Sequence, residues 1–452
     1  MTDYANRFAG RLLLREELDL SNAEFTNLIK THQLTPVTPI VRHHFTHRCL
    51  RCNNTTKHLF GKIPCSNCQQ THPYCRKCIQ MGRVMACTPL YEWTGPAPSW
   101  PTPTTNPLAW QGKLTDKQRY ASNKIIEAIE TKQTELLVHA VCGAGKTEML
   151  FEGIALAIRQ HKRVCLTSPR ADVIRELLPR FKQAFPTTTI TGLYGGSGNN
   201  HQTAQLTLAT THQLLRYQDA FDVMIIDELD AFPYHADSSL PFATKRAQKP
   251  MSTMIYLTAT PRDDLLKRKP PTVFVPIRYH GQPLPVPKPI LTYKFSKTTL
   301  PKCFWTWYQN RQNPTRQLLI FTATINQAER QRPSLVKKLP DKIIASVHAE
   351  DPDRIDKVQQ FRNKEIDILL TTTILERGVT FPSVDVAVID AGHDVFDQAA
   401  LVQIAGRAGR SPDDPTGEVI FIHDGYTRAI RDSLTAIKQM NKRAGFDQGG
   451  YR

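Results

Sequence analysis

Three short stretches of the chain carry side chains whose types and spacing could handle a nucleoside triphosphate. The run CGAGKT (142–147) follows the apolar segment LLVHAV (136–141) and precedes an amphipathic pattern, so a strand, a glycine-rich turn and a helix are expected in that order. Such a turn cradles phosphate. Gly143 and Gly145, with Ala144 between them, let backbone N–H groups approach the β- and γ-phosphates, and the helix N-terminus adds its dipole. Lys146 supplies a point charge and the Thr147 hydroxyl can hold Mg²⁺. The fuller form of this loop has glycine where this chain has Ala140. The second stretch, VMIIDELD (223–230), ends a buried-strand pattern in Asp227 and Glu228. A carboxylate at that point reaches Mg²⁺ through water, and its neighbour can orient or deprotonate an attacking water. The third, QIAGRAGR (403–410), sets Arg407 and Arg410 three residues apart, where both could reach a transferring phosphoryl group. These pieces predict a composite site, completed when two lobes close on ATP.

A different chemistry sits near the N-terminus. Seven of the ten cysteines lie between Cys49 and Cys87, and six form C-x-x-C pairs: Cys49/Cys52, Cys65/Cys68 and Cys75/Cys78. Four thiolates converging on one Zn²⁺ would replace a core that so short a segment cannot build. Cys49, Cys52, Cys65 and Cys68 have the spacing of a zinc ribbon, Cys75 and Cys78 could replace the second pair, and a second ion recruiting His72 or Cys87 is a further option. A redox dithiol would need a C-x-x-C at a strand-to-helix turn of a βαβ unit, which this segment lacks.

The chain has 452 residues, 58 Lys+Arg against 41 Asp+Glu, and a formal charge of +17. Its size predicts two or three domains, and 40% hydrophobic against 22% charged residues is a folded composition rather than a disordered one. No apolar run approaches the roughly 20 residues of a membrane span, and no signal peptide is evident, so a cytoplasmic location is expected. The excess charge has an address. Between Glu24 and Glu92 there is no carboxylate, while Lys30, Arg42, Arg48, Arg51, Lys57, Lys62, Arg76, Lys77 and Arg83 fall inside. A solvated face normally mixes signs, so this module favours phosphate binding, with His43, His44, Phe45, His47, Phe60 and Tyr74 available to stack on bases or to fill a small core.

Positioning these residues requires two α/β blocks. Apolar strand runs alternate with helical patterns on either side of the proline cluster PLPVPKP (283–289), which predicts a parallel sheet in each block. The expected organisation is an N-terminal segment (1–40), a cysteine-rich zinc module (41–88), a Pro/Trp-rich linker (89–111), lobe 1 (112–282), a short linker (283–289) and lobe 2 (290–452). Trp93, Trp100 and Trp110 in the first linker are candidates for lobe docking or partner contact. Cys142 and Cys165 read as small packing residues, and FWTWY (304–308) as the buried face of a helix.

With those motifs in order, the chain resembles the superfamily 2 DNA/RNA helicases, built from two RecA-like lobes, over almost everything after residue 112. That family tolerates alanine at the position of Ala140. The resemblance implies ATP and Mg²⁺ as cofactors, an adenine-reading segment at Leu114, Thr115 and Gln118, a coupling motif at Thr258 to Thr260, and second-lobe motifs at TTTILERGV (371–379), which includes Gly378 at the nucleotide, and QIAGRAGR. It further implies that SPR (Ser168, Pro169, Arg170), Gly195, Gly196, the Thr211 and His212 of ATTHQLL, and Thr371 to Thr373 grip the backbone of one strand. Within the superfamily, YCRKCIQMGRV (74–84) and DELDAFPY (227–234) are most similar to the ComFA competence proteins of Gram-positive bacteria. That likeness implies a motor on single-stranded DNA that drives uptake of transforming DNA, at the inner face of the membrane beside the uptake channel and other competence proteins. Primosomal DNA helicases are the alternative, but they carry zinc cysteines inside the second lobe, where this chain has only Cys303. A zinc-dependent nucleic-acid clamp with little ATP turnover, and an RNA helicase, are the remaining readings.

Overall fold

The computed structural model describes residues 4–197, 204–293, 295–377 and 381–446. Lobe 1 is built on a seven-stranded, all-parallel sheet. Its strands run, from edge to edge, Ile190–Leu193, Leu206–Thr210, Val164–Ser168, Phe221–Asp227, Gln248–Thr258, Glu135–Ala140 and Thr272–Val275. Near-continuous Val, Ile and Leu in the central strands is what a sheet covered on both faces demands, and those strands are almost wholly buried. Lobe 2 repeats the design with six parallel strands in the order Lys288–Leu291, Val419–His423, Val384–Ile389, Gln317–Phe321, Ile368–Thr371 and Ile344–Val347. Two RecA-like α/β lobes preceded by a small cysteine module are therefore present, as the alternating pattern predicts. The helix Lys302–Gln309 buries Phe304 and Trp307 against lobe 2.

Strand order sorts the chemistry. Apart from the segment at 114–118, which precedes the sheet, the candidate motifs of lobe 1 lie at or just past the C-terminal end of a parallel strand, the edge where open α/β sheets bind ligands. The phosphate loop follows Glu135–Ala140 and the acid pair ends Phe221–Asp227, on one half of the sheet. Arg170, Gly195/Gly196 and Thr211/His212 follow the three strands on the other half.

The N-terminal region differs from the expected division. The residues placed at the start of the linker form the strand Leu90–Trp93, which is the centre of a three-stranded antiparallel sheet between Leu12–Leu13 and Leu34–Val37. The prolines around that strand mask its apolar alternation. The rest of the proline-rich stretch is tied to lobe 1, where Leu108 is buried, the Ala109 N–H donates to Ala184 O, and Trp110 meets the Phe151 ring at 5.6 Å. The second linker runs into the sheet of lobe 2. Lys288 and Pro289 begin its edge strand, where a proline is tolerated. Leu284 is held by a two-way hydrogen bond with the Asn441 side chain.

The cysteine module consists of a hairpin, Ile40–His43 with Thr46–Cys49, and a three-stranded sheet, Phe60–Pro64, Thr71–Cys75 and Val84–Met85. Its cysteines Cys49, Cys52, Cys75 and Cys78 share one apolar cluster with Leu214, Leu215, Tyr217 and Tyr234 of lobe 1. Polar contacts reinforce the joint. Arg246 donates to the carbonyls of Leu50, Arg51, Leu215 and Tyr217, and Lys77 Nζ lies 2.6 Å from Asp237. Arg51 is fully buried and its Nη2 donates to Glu17 at 2.8 Å, while Arg216 Nε donates to the same carboxylate at 2.6 Å. Two of the nine basic residues assigned to phosphate are thus spent on docking: Arg51 in a buried ion pair and Lys77 across the joint. Glu17→Gln removes the charge that neutralises Arg51 and should cost about 1–3 kcal/mol, read as a lower thermal midpoint and earlier proteolysis within residues 41–88.

Candidate functional site

A cavity of about 560 Å³ opens between the lobes, within the range of small-molecule sites. Gly143 to Thr147, Asp227, Glu228 and Gln118 line it from lobe 1, and Gln403, Arg407 and Arg410 from lobe 2. The loop owes its shape to its glycines, since Gly143 and Gly145 adopt φ of +79° and +71°. A Cβ on Gly145 would lie 2.3 Å from Gln118 Nε2. That closeness is functional in form, because Gln118 Nε2 donates to Ala144 O at 2.8 Å and Gln118 also closes the capping box with Thr115 at the start of helix Asp116–Glu130. The segment expected to read adenine and the phosphate loop are therefore physically joined.

The acid pair is poised for a cation. Burial pushes the Asp227 carboxyl up to about 6, against the pull of the nearby Lys146 ammonium. Asp227 Oδ1 and Glu228 Oε2 are buried and accept no hydrogen bond among the described residues. Buried carboxylate oxygens left without donors cost free energy, and a hard oxygen-seeking cation such as Mg²⁺ would satisfy them. Thr147 lines the same cavity and completes an oxygen donor set that fits Mg²⁺. Glu228 sits at φ +56°, a strained backbone for a non-glycine residue, held by its N–H donating to Leu257 O at 3.1 Å.

The lobes meet through contacts that the sequence motifs only partly announce. Asp230 accepts from Thr258 Oγ1 at 2.6 Å and from Thr260 Oγ1, and pairs with Arg377 of lobe 2. Burial alone would raise its carboxyl, but Arg377 and the two hydroxyls hold it far below the ordinary carboxylate range. Arg377 Nη1 also stands 3.9 Å from Glu228. The arginine lies inside TTTILERGV, yet reading that motif for backbone grip and for Gly378 passes it over. A signal exists in the sequence: a buried acid at the end of the DELD box needs a counter-charge. Gly378 itself lies outside the described residues. Arg278, which no motif marks, is fully buried and donates from Nη1 to Gly409 O and from Nη2 to Gly406 O, tying the end of lobe 1 to the GRAGR turn. Cys142 is a packing residue with a polar edge, its Sγ donating to Gln403 Oε1 at 3.0 Å, and a Cβ on Gly406 would lie 2.5 Å from Cys142 Cβ. Arg407 is buried, which pulls its guanidinium down to about 9 with help from Arg410, and its Nε donates to Glu376 O.

The expected backbone-gripping residues fall into three groups. Gly195 and Gly196 face open space, and His212 and Thr372 are partly exposed. Pro169 is buried, as are Thr211 and Thr371, so those two threonines could offer a strand little beyond the adjoining backbone. Arg170 is committed otherwise: it is paired with Asp172 at 2.7 Å and donates to Ile374 O of lobe 2 at 2.9 Å, which makes it an interlobe bridge in this closed arrangement.

In the cysteine module the four-thiol cluster is Cys49, Cys52, Cys75 and Cys78, all buried. The ribbon pairing of Cys49/Cys52 with Cys65/Cys68 is not what forms. The hairpin register explains why: Phe60 pairs with Cys75 and Pro64 with Thr71, so Cys65 stands at the opposite end of the hairpin from Cys75, roughly 17 Å along the strands. Cys49 Sγ to Cys78 Sγ is 3.8 Å and Cys52 Sγ to Cys75 Sγ is 3.6 Å. Thiolates at about 2.3 Å from a tetrahedral Zn²⁺ would be about 3.8 Å apart, so the donor set fits that ion.

Two RecA-like lobes that close a phosphate loop, an acid box and paired arginines around one cavity define an ATP-dependent helicase of superfamily 2. Three family models match in chain order: "Competence protein ComFA N-terminal domain" over residues 1–92, "Type III restriction enzyme, res subunit" over 111–263, and "Helicase conserved C-terminal domain" over 298–412. The chain is 44% identical to the competence protein ComFA of Bacillus subtilis, over 96% of this chain and 94% of that one. It is 40% identical to the ComFA of Streptococcus pneumoniae, over 85% and 92% respectively. The chain belongs to the ComFA family of competence proteins. Among solved structures, Saccharomyces cerevisiae Dbp5 bound to RNA and ADP BeF3 superposes with a TM-score of 0.50 at 18% identity, covering 72% of this chain and 91% of that one. Mss116p bound to ssRNA and AMP-PNP gives 0.52 at 15%, covering 74% and 76%. These last two likenesses concern the fold.

Proposed function

We propose that this competence-associated helicase uses ATP hydrolysis to travel along single-stranded DNA and so draws transforming DNA into the cytoplasm, working at the inner face of the membrane beside the uptake channel. The observation that carries this reading is the division of one sheet edge in lobe 1 between a nucleotide half and a half whose Gly195–Gly196 turn faces open space, with the basic cysteine module docked on the same lobe.

In this reading Lys146 and the loop amides hold the β- and γ-phosphates, and Thr147 and Asp227 hold Mg²⁺, which shields the phosphate charge when bound. Glu228 accepts the proton of the attacking water, and Arg407 and Arg410 neutralise the charge that develops on the transferring group. Arg377 and Asp230 link lobe closure to the acid box, so loss of the γ-phosphate weakens closure. Gly195, Gly196, His212 and Thr372, with the main chain at Thr211 and Thr371, contact the sugar-phosphate backbone, with Pro169 and Arg170 shaping the same edge, and alternating grip between lobes moves the strand. Contacts of that kind tolerate any sequence and weaken with salt. Among the described residues no helix is long and apolar enough to cross a membrane, so attachment at the membrane would run through partners.

Comparing phosphate release with single-stranded DNA, duplex DNA and RNA tests the reading. Single-stranded DNA should stimulate turnover most. Equal rates with all three, or the highest with RNA, would overturn the choice of substrate while leaving the ATPase intact.

A Zn²⁺ ion held by Cys49, Cys52, Cys75 and Cys78 supports this arrangement by fixing the module on lobe 1. Cys75→Ser is expected to release that zinc and open residues 41–88 to protease, measured by metal content and by mapping the cleavage sites. Retained zinc with an unchanged digestion pattern would remove the assignment.

A further inference from the structure

Besides the four-thiol cluster, the module gathers a second set of soft donors. Cys65, Cys68 and Cys87 have sulfurs within 4.8 Å of one another, and His72 Nε2 lies 3.1 Å from Cys68 Sγ. Their backbone is already shaped for a metal. At the first site the Cys49 N–H donates to Asn54 O and the Asn53 N–H to Cys49 O, with Asn53 at φ +59°. At the second, the Cys65 N–H donates to Gln70 O and the Gln69 N–H to Cys65 O, with Gln69 at φ +58°. The two C-x-x-C turns are the same knuckle. A left-handed glutamine is an uncommon way to end a turn, so a purely solvent-facing hairpin tip gives no reason for this copy.

We propose that Cys65, Cys68, His72 and Cys87 form a second zinc site, separate from Cys49, Cys52, Cys75 and Cys78. Three thiolates and an imidazole are soft and borderline donors suited to tetrahedral Zn²⁺ rather than to Mg²⁺. With no carboxylate between Glu24 and Glu92, no hard anionic side chain in this stretch competes for the ion. The C-x-x-C pairs interleave: the first and third serve one ion, and the second, with His72 and Cys87, serves the other. The second ion clamps the tip of the hairpin, between Phe60–Pro64 and Thr71–Cys75, to the segment that leaves Val84–Met85 for the strand Leu90–Trp93. It thereby joins the cysteine module to the small N-terminal sheet. Because Cys68 is exposed and the first cluster is wholly buried, this second ion is the one that exchanges more readily.

The test uses the full-length protein purified under reducing conditions without chelator. Wild type is expected to hold two zinc ions per chain, Cys87→Ala one, and His72→Cys two, with ATP turnover of Cys87→Ala close to wild type. Thiol alkylation mapped by mass spectrometry keeps the question open to decision if Cys87→Ala fails to fold. In the wild-type protein Cys65, Cys68 and Cys87 should resist alkylation until chelator is added. One zinc per wild-type chain would overturn the proposal while sparing the first site. So would Cys68 and Cys87 alkylating equally fast with and without chelator, or a disulfide between two of these cysteines.

Discussion

Glu228→Gln is expected to lower ATP turnover by about 100-fold or more, the usual range for removing a positioned general base, while ATP still binds. The amide preserves the size of the side chain, and the N–H bond to Leu257 O that holds the strained backbone is untouched. Lys146, Thr147 and Asp227 remain to hold the nucleotide and its metal, so affinity for a fluorescent ATP analogue should change little. Stopped-flow phosphate release and equilibrium binding separate the two quantities. Turnover close to that of the unaltered chain would remove Glu228 from the chemistry and leave the buried oxygen it presents to the cavity without an explanation.

Arg377→Ala should be nearly as damaging, by another route. It leaves Asp230 and part of Glu228 without their buried counter-charge, and breaking such a pair costs about 3–5 kcal/mol, or roughly 10²- to 10³-fold or more in the equilibrium between closed and open lobes. The expected readout is loss of ATP-dependent closure, followed by a distance label on each lobe, with ATP affinity largely retained. Replacing both partners, Asp230→Asn with Arg377→Met, should recover part of the closure because no orphan charge is left. Acidity should matter little near neutrality. The Asp230 carboxyl is held below its ordinary value, so the pair has its full strength above the unfolded carboxyl's value of about 4 and loses it only as pH falls through the lower folded value. A pH-dependent loss of closure between neutrality and mild acid would therefore point to another group.

Residues whose chemistry needs neighbours in sequence are recognisable from the amino-acid sequence alone. The loop at 142–147 and the box at 227–230 are contiguous because one strand end must present several groups to one phosphate chain, and the alternation of strand and helix patterns around them defines the α/β lobes. Residues whose partners are distant in sequence cannot be recognised this way. Arg377 acts on an acid 147 positions away and Arg278 on a carbonyl 131 away; the motif around Arg377 does not name its partner, and nothing local distinguishes Arg278 from a surface arginine. The cysteines fall between these cases. A metal-binding role is expected from their clustering, but three C-x-x-C pairs carry no information on which pairs meet. The Phe60↔Cys75 register decides it. The carboxylate-free run reads from its composition as a phosphate surface throughout, and the fold divides it, since Arg51 pairs with Glu17, which also binds Arg216 of lobe 1, and Lys77 pairs with Asp237 of lobe 1.

ATP-driven movement along one DNA strand is measured by stopped-flow translocation on single-stranded oligonucleotides of increasing length, each labelled at one end. On mixing with ATP and Mg²⁺ the time to reach the label should grow linearly with length, and Glu228→Gln should abolish the signal. Arrival times that do not depend on length, with ATP hydrolysis intact, would contradict such movement and make the chain a nucleotide-gated clamp.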